Sequence, residues 1–221
     1  MRKSLSLLFA ALLVLCFMLI PMMAAASCPD LTGLWVGGQL GLTIPGDTDV
    51  KFRAGPYRAT ANNLSLDTGF MAGATVGYDF MKYFGVALDY SWNGLDVPNQ
   101  RAGQFRIPSV SGGQNTIAAL VMLHYGVMNS ELYPAGRIVP YVAIGPALVM
   151  TTMNFAGGSQ TSSNIGLVAE SGIDFYVVPK VSIAAAFRYK MAAPSFESRN
   201  VSIDPGTINT YGLLTRVTYH F

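Results

Sequence analysis

The chemistry this sequence offers rests on seven charged side chains. Asp79, Asp89, Glu170 and Asp174 are carboxylates; Arg188, Lys190 and Arg216 are cations. Each lies in a segment whose side chains alternate in character, on the parity opposite to the hydrophobic one. Glu170 and Asp174 share a parity, and so do Arg188 and Lys190. Charges in an interior must pair, so mutual neutralisation is the chemistry expected of them. Only Val178-Pro179-Lys180 separates the segments of the second group, which brings Glu170 or Asp174 within reach of Arg188 or Lys190. Arg216 needs a carboxylate partner in the same interior. General acid–base work would fall to His124 and His220, also on inward parities. With two His, and with Cys16 and Cys28 as the cysteines, metal-ligand spacing is lacking, and neither metal nor other cofactor is expected. No helix pattern follows Gly37-Gly38 or Gly157-Gly158, so neither is a phosphate loop.

The segments that must position these residues have a side-chain period of two, the mark of β-strands. Eight are expected, over 34–42, 70–80, 84–92, 116–127, 138–150, 164–177, 181–190 and 210–221. In the second, Phe70, Ala72, Ala74, Val76, Tyr78 and Phe80 oppose Thr75 and Asp79. In the third, Phe84, Val86, Leu88, Tyr90 and Trp92 oppose Asp89 and Ser91. In the sixth, Ile165, Leu167, Ile173, Phe175 and Val177 oppose Glu170 and Asp174; in the seventh, Val181, Ile183, Ala185, Phe187 and Tyr189 oppose Arg188 and Lys190. The last sets Tyr211, Leu213, Val217, Tyr219 and Phe221 against Arg216 and His220. The polar faces hold mostly Gly, Ala, Ser and Thr, which suits the crowded inside of a narrow barrel. Connections alternate in length: 43–69, 93–115, 151–163 and 191–209 are long, 81–83 and 178–180 short, and 128–137 intermediate. The long ones carry turn and coil residues such as Pro45-Gly46-Asp47 and Asp204-Pro205-Gly206.

Composition says what these strands face. The 221 residues are 51% hydrophobic and 12% charged, with 23 Gly and 11% aromatics. Water-soluble domains carry about 25% charged residues, so much of this surface does not face water. Arg2 and Lys3, the apolar stretch 5–20, Pro21 and Ala24-Ala25-Ala26 have the layout of an export signal peptide, giving a leader over 1–26 and a single domain over 27–221. Loss of Arg2 and Lys3 takes Lys+Arg from 14 to 12, against 12 Asp+Glu. The mature chain is formally neutral, and nucleic-acid binding gains no support. Cys28 follows a poor version of a lipoprotein cleavage box, with Ala25 where Leu is usual; the sequence leaves its lipidation open. No apolar run after residue 26 is long enough for a transmembrane helix. An exported chain, low in charge, whose hydrophobic residues are spread over short alternating strands, is expected to form an all-β, transmembrane, up-and-down antiparallel barrel of eight strands. Its aromatics cluster at strand ends, as an interfacial girdle requires.

The chain resembles the OmpA-type and OmpX-type eight-stranded outer-membrane barrels over residues 31–221. The likeness rests on the Gly-rich opening Trp35-Val36-Gly37-Gly38-Gln39-Leu40-Gly41, on Pro140-Tyr141-Val142-Ala143-Ile144-Gly145, and on the terminal Tyr219-His220-Phe221. The resemblance implies an outer-membrane location in a Gram-negative-type cell, with membrane lipid and lipopolysaccharide as surroundings. It also implies recognition by the barrel-assembly machinery through Leu213, Val217, Tyr219 and Phe221. No peptidoglycan-binding domain is seen after the barrel, so cell-wall anchoring by that route is not expected. The expected role is structural or surface-interacting, with a lumen plugged by side chains and salt bridges. A narrow channel for small solutes is the alternative, and a lipid A-modifying enzyme the remote one. Deacylases and palmitoyltransferases among small outer-membrane barrels use a His with a Ser. The deacylase pattern has Ser two residues after its His, where this chain has Gly126, and no enzymatic activity is expected. The first long connection carries Asp47, Asp49, Lys51, Arg53 and Arg58, the second Arg101 and Arg106. Exposed loops on a rigid scaffold often bind partners, but these residues name no ligand.

Overall fold

A computed structural model describes residues 32–46, 48–54, 57–64, 67–97, 100–102, 105–107, 110–134, 136–155, 158–193, 196–198, 201–204 and 206–221. The expected leader and Cys28 lie outside the described residues, and so does Asp47. The described strands are β1 (Gly33–Pro45), β2 (Thr48–Ala54), β3 (Tyr57–Leu64), β4 (Gly69–Met81), β5 (Phe84–Val97), β6 (Gln100–Ala102), β7 (Phe105–Ile107), β8 (Val110–His124), β9 (Ile138–Phe155), β10 (Gly158–Val178), β11 (Val181–Ala192), β12 (Phe196–Ser198), β13 (Val201–Asp204) and β14 (Ile208–His220).

Eight of these close into a barrel in the order β1-β14-β11-β10-β9-β8-β5-β4. Every neighbouring pair is antiparallel, and β14 closes the ring on β1 with Gln39 opposite Arg216. Closure satisfies the backbone of both end strands, which a chain surrounded by lipid requires. The seal runs to the last residue: the Phe221 N–H donates to the Leu34 carbonyl at 3.0 Å.

The strands follow the expected alternation but run further, almost all of the excess being at the long-loop rim. β9 and β10 continue to Phe155 and start at Gly158, so most of the connection expected over 151–163 is a paired hairpin. At the other rim the expected strand 116–127 stops at His124, and Val127 makes only an isolated bridge to Ile138. The long connections expected as turn and coil also contain strands. β12, β13, β2 and β3 form a four-stranded sheet in that order, and β6 pairs with β7. Asp49, Lys51 and Arg53 fall on β2, Arg58 on β3, Arg101 on β6 and Arg106 on β7.

One parity of each barrel strand points outward and is apolar: Leu40, Leu42, Val86, Leu88, Ile144 and Leu213 are all exposed. The other parity packs inside the ring. That interior is bulkier than the small-residue filling expected from the sequence. Trp35, Met71, Leu120, Met122, Tyr141, Val149, Val168 and Leu214 form its apolar part. Glycines on facing strands make room for the largest of these. A Cβ at Gly77 would overlap the indole of Trp35, and one at Gly172 would come within 2.8 Å of the Tyr141 ring.

Candidate functional site

The interior polarity is organised around Arg188. In the β10–β11 register Glu170 faces Arg188 directly, as the short connection between their strands suggests. The Arg188 Nε donates to Glu170 Oε2 at 2.7 Å. Its Nη1 and Nη2 donate to the two carboxylate oxygens of Asp89, each at 3.0 Å. β11 and β5 stand four places apart in the eight-strand ring, so this fork spans the full diameter of the lumen. Asp89 also accepts from Gln39 Nε2 and Thr75 Oγ1, both at 2.7 Å. With these contacts the buried carboxylate has a donor on each oxygen, as burial of a charge demands.

Arg216 continues the network toward the short-turn rim. It donates to Glu170 Oε1 at 3.1 Å, an oxygen that also accepts from the Tyr141 hydroxyl at 2.7 Å. Asp174 Oδ2 is 3.9 Å from Arg216 Nη2. The guanidinium lies over the rings of Tyr141 and Trp35, at 5.0 and 5.6 Å from their centroids. Cation–π contacts of this kind add to the charge pairing in a desolvated site.

Two of the seven charges are arranged otherwise. Lys190 makes no ion pair among the described residues; it donates to Asn93 Oδ1 at 2.7 Å and Thr116 Oγ1 at 3.3 Å. Of the pairings within reach the structure forms Glu170–Arg188, while the register sets Lys190 opposite Val168, two residues further toward the long-loop rim. Asp79 stands apart from the arginine network, near the short-turn rim, with its Oδ1 3.9 Å from His124 Nδ1.

That rim gathers the chain's two histidines. Ser182 Oγ donates to Asp174 Oδ1 at 3.2 Å and lies 3.4 Å from His220 Nε2, while the Tyr176 hydroxyl lies 3.1 Å from the same nitrogen. A nucleophile–base pair needs a third group to orient the base. Here the carboxylate bonds the serine rather than the imidazole, and Ser182 is fully buried. Among the described residues no group of His, Cys, Asp or Glu is arranged to hold a metal ion.

Leu213, Val217, Tyr219 and Phe221 sit on the outer parity at the closing strand, with Tyr219 and Phe221 in edge-to-face contact at 5.1 Å. Several lumen residues escape sequence reasoning. Gln39 and Thr75 are polar on inward parities and could have been found that way. Tyr141 could not, because both parities of β9 are apolar there, with Tyr141 and Ala143 inside and Val142 and Ile144 outside.

A closed antiparallel ring with an apolar outer face and a charged network within is the transmembrane β-barrel class. The chain belongs to the outer membrane protein beta-barrel domain family, which matches residues 12–221. Among solved structures it is similar to OprG of Pseudomonas aeruginosa, at 18% identity over 86% of this chain and 97% of that one, with a TM-score of 0.59. Neisserial surface protein A is similar at 18% identity over 86% and 98%, with a TM-score of 0.54. The outer membrane protein AlkL in lipid bilayers is similar at 14% identity over 89% and 94%, with a TM-score of 0.56. No curated protein matches the chain.

Proposed function

We propose that this protein is a non-conducting outer-membrane barrel with a structural or surface-interacting role. Its lumen is plugged by its own side chains, and it carries out no catalysis. The observation that carries this reading is the Arg188 fork on Asp89, which crosses the barrel from wall to wall. A second crossing, Lys190 on Asn93, joins the same two strands nearer the long-loop rim. The interior of an eight-stranded barrel is about filled by side chains, and these two contacts lie across the path a solute would take.

In this reading the short-turn rim faces the periplasm and the long-loop rim the outside, where the strands of the connections meet a partner. Lipid and lipopolysaccharide surround the outer parity. Leu213, Val217, Tyr219 and Phe221 form the signal that the barrel-assembly machinery reads. A narrow channel is the second reading. It is favoured by the looser Asp174–Arg216 contact at 3.9 Å and by the uncharged partners of Lys190, which could exchange. Planar-bilayer recording of the purified barrel decides between them. We expect no resolved openings; regular unitary openings would overturn the plugged-lumen reading in favour of the channel.

A further inference from the structure

Near the short-turn rim, between Asp79 on β4, His124 on β8 and Arg216 and Thr218 on β14, the interior contains a cavity of about 30 Å³. Four of the residues that line it each have a buried polar atom with no hydrogen-bond partner in the protein: Asp79 Oδ1, His124 Nε2, Arg216 Nε and Thr218 Oγ1. Leaving a buried donor or acceptor unpaired is destabilising. Four such atoms around one cavity are therefore a strong indication of a shared ligand.

The walls define its chemistry. The Arg216 guanidinium opposes a cation, and the Asp79 and Asp174 carboxylates oppose an anion. A neutral molecule that both donates and accepts is required. Roughly 10–15 Å³ suffices for one water, so the cavity has room for one or two and for nothing larger. The donor and acceptor count also closes. Arg216 Nε can only donate, and Asp79 Oδ1, as a carboxylate oxygen, accepts. Thr218 Oγ1 and His124 Nε2 can take either role, one donating and the other accepting. The two donor and two acceptor positions of a single water match this count.

We propose that this cavity is a built water site and that its water links Asp79 and His124 to the arginine network. The linked path then runs from Asp79 and His124 through the water to Arg216, Glu170, Arg188 and Asp89. One hydrogen-bonded chain thereby joins the short-turn rim to the diametric crossing. The site does not depend on whether the lumen conducts.

Solid-state NMR on the barrel in lipid bilayers tests it. The sequence contains two His, so ¹⁵N labelling of histidine and arginine gives two imidazole systems, which a His220→Gln variant assigns, and makes the Arg216 Nε–H observable. We expect the His124 ring and the Arg216 Nε–H each to show a cross-peak to a water that persists after mobile water is filtered out. Both peaks should weaken in Thr218→Val, which keeps the side-chain shape and removes one of the four partners. Absence of the peaks in the unaltered protein overturns the site, as does their survival undiminished in a folded Thr218→Val barrel. Should Thr218→Val not fold, a high-resolution crystal structure of the unaltered barrel replaces it. Density within hydrogen-bond distance of all four atoms supports the site, and a dry cavity overturns it. Bilayer recordings on the same preparation report on the lumen alone, so failure of this inference is distinguishable from failure of the plugged-lumen reading.

Discussion

Arg188 holds two carboxylates that would otherwise repel each other inside the ring. Asp89 and Glu170 are both almost fully buried, and three nitrogens of one guanidinium bond them. Removing one partner of a buried ionic network leaves an uncompensated charge, which costs about 3–5 kcal/mol. We expect Arg188→Ala to destabilise the barrel by that order, measured by urea unfolding in lipid vesicles. Arg188→Lys should recover only part of the loss, because an ammonium cannot reproduce the planar fork. An Arg188→Ala barrel as stable as the unaltered protein would mean that the crossing contributes nothing. The sequence shows only half of this centre. The Glu170–Arg188 pair follows from parity and a three-residue connection. The Asp89–Arg188 pair does not, since 99 positions separate the two residues and their meeting depends on strand order and shear. Lys190 shows the limit of parity: it names the correct face but not the level along the barrel axis.

At the scale of the strand, the bulky lumen residues depend on glycines in neighbouring strands. Trp35 of β1 lies over Gly77 of β4, its direct partner in the register. Overpacking a filled interior costs about 1–3 kcal/mol. Gly77→Val is therefore expected to lower the temperature at which the folded band disappears on a gel, while a valine at exposed Gly158, where an added Cβ meets nothing, tests positive-φ strain alone. An unchanged melting temperature for Gly77→Val would show that the indole can move aside. β14 carries a different burden, because it is the closing strand. Deleting Phe221 removes the N–H that bonds Leu34 together with the outer aromatic of the proposed assembly signal. Outer-membrane levels should fall further than for any single long-loop deletion; normal levels of the truncated chain would remove Phe221 from that role. Barrel strands were legible because one parity is apolar nearly without exception. Their extensions were less so, since turn residues such as Gly112-Gly113 and Gly158 sit inside paired strands. β2 did carry a signal, with Asp49, Lys51 and Arg53 alternating with Val50, Phe52 and Ala54.

The ring inverts the arrangement of a soluble protein: large aliphatic and aromatic side chains cover its outside, and a charged network lies within. Leu40, Leu88 and Val217 are each more than half exposed, a burden that lipid or detergent relieves. Each barrel strand bonds two neighbours, so the ring offers no free edge at which unfolding or strand exchange can begin. Opening it requires breaking a complete inter-strand ladder together with the arginine network inside. Such a barrel is expected to stay folded in dodecyl sulfate at room temperature and to unfold only on heating. The compact form should then migrate differently from the boiled chain on the same gel. Arg188→Ala and Gly77→Val should keep this two-band behaviour with the conversion moved to lower temperature, because they weaken the filling and leave the ring closed. Identical mobility of boiled and unboiled samples of the unaltered protein would contradict a closed barrel. Conversion in two steps, with the β11–β14 or β1–β14 seam opening first, would show that the ring does not unfold as one cooperative unit.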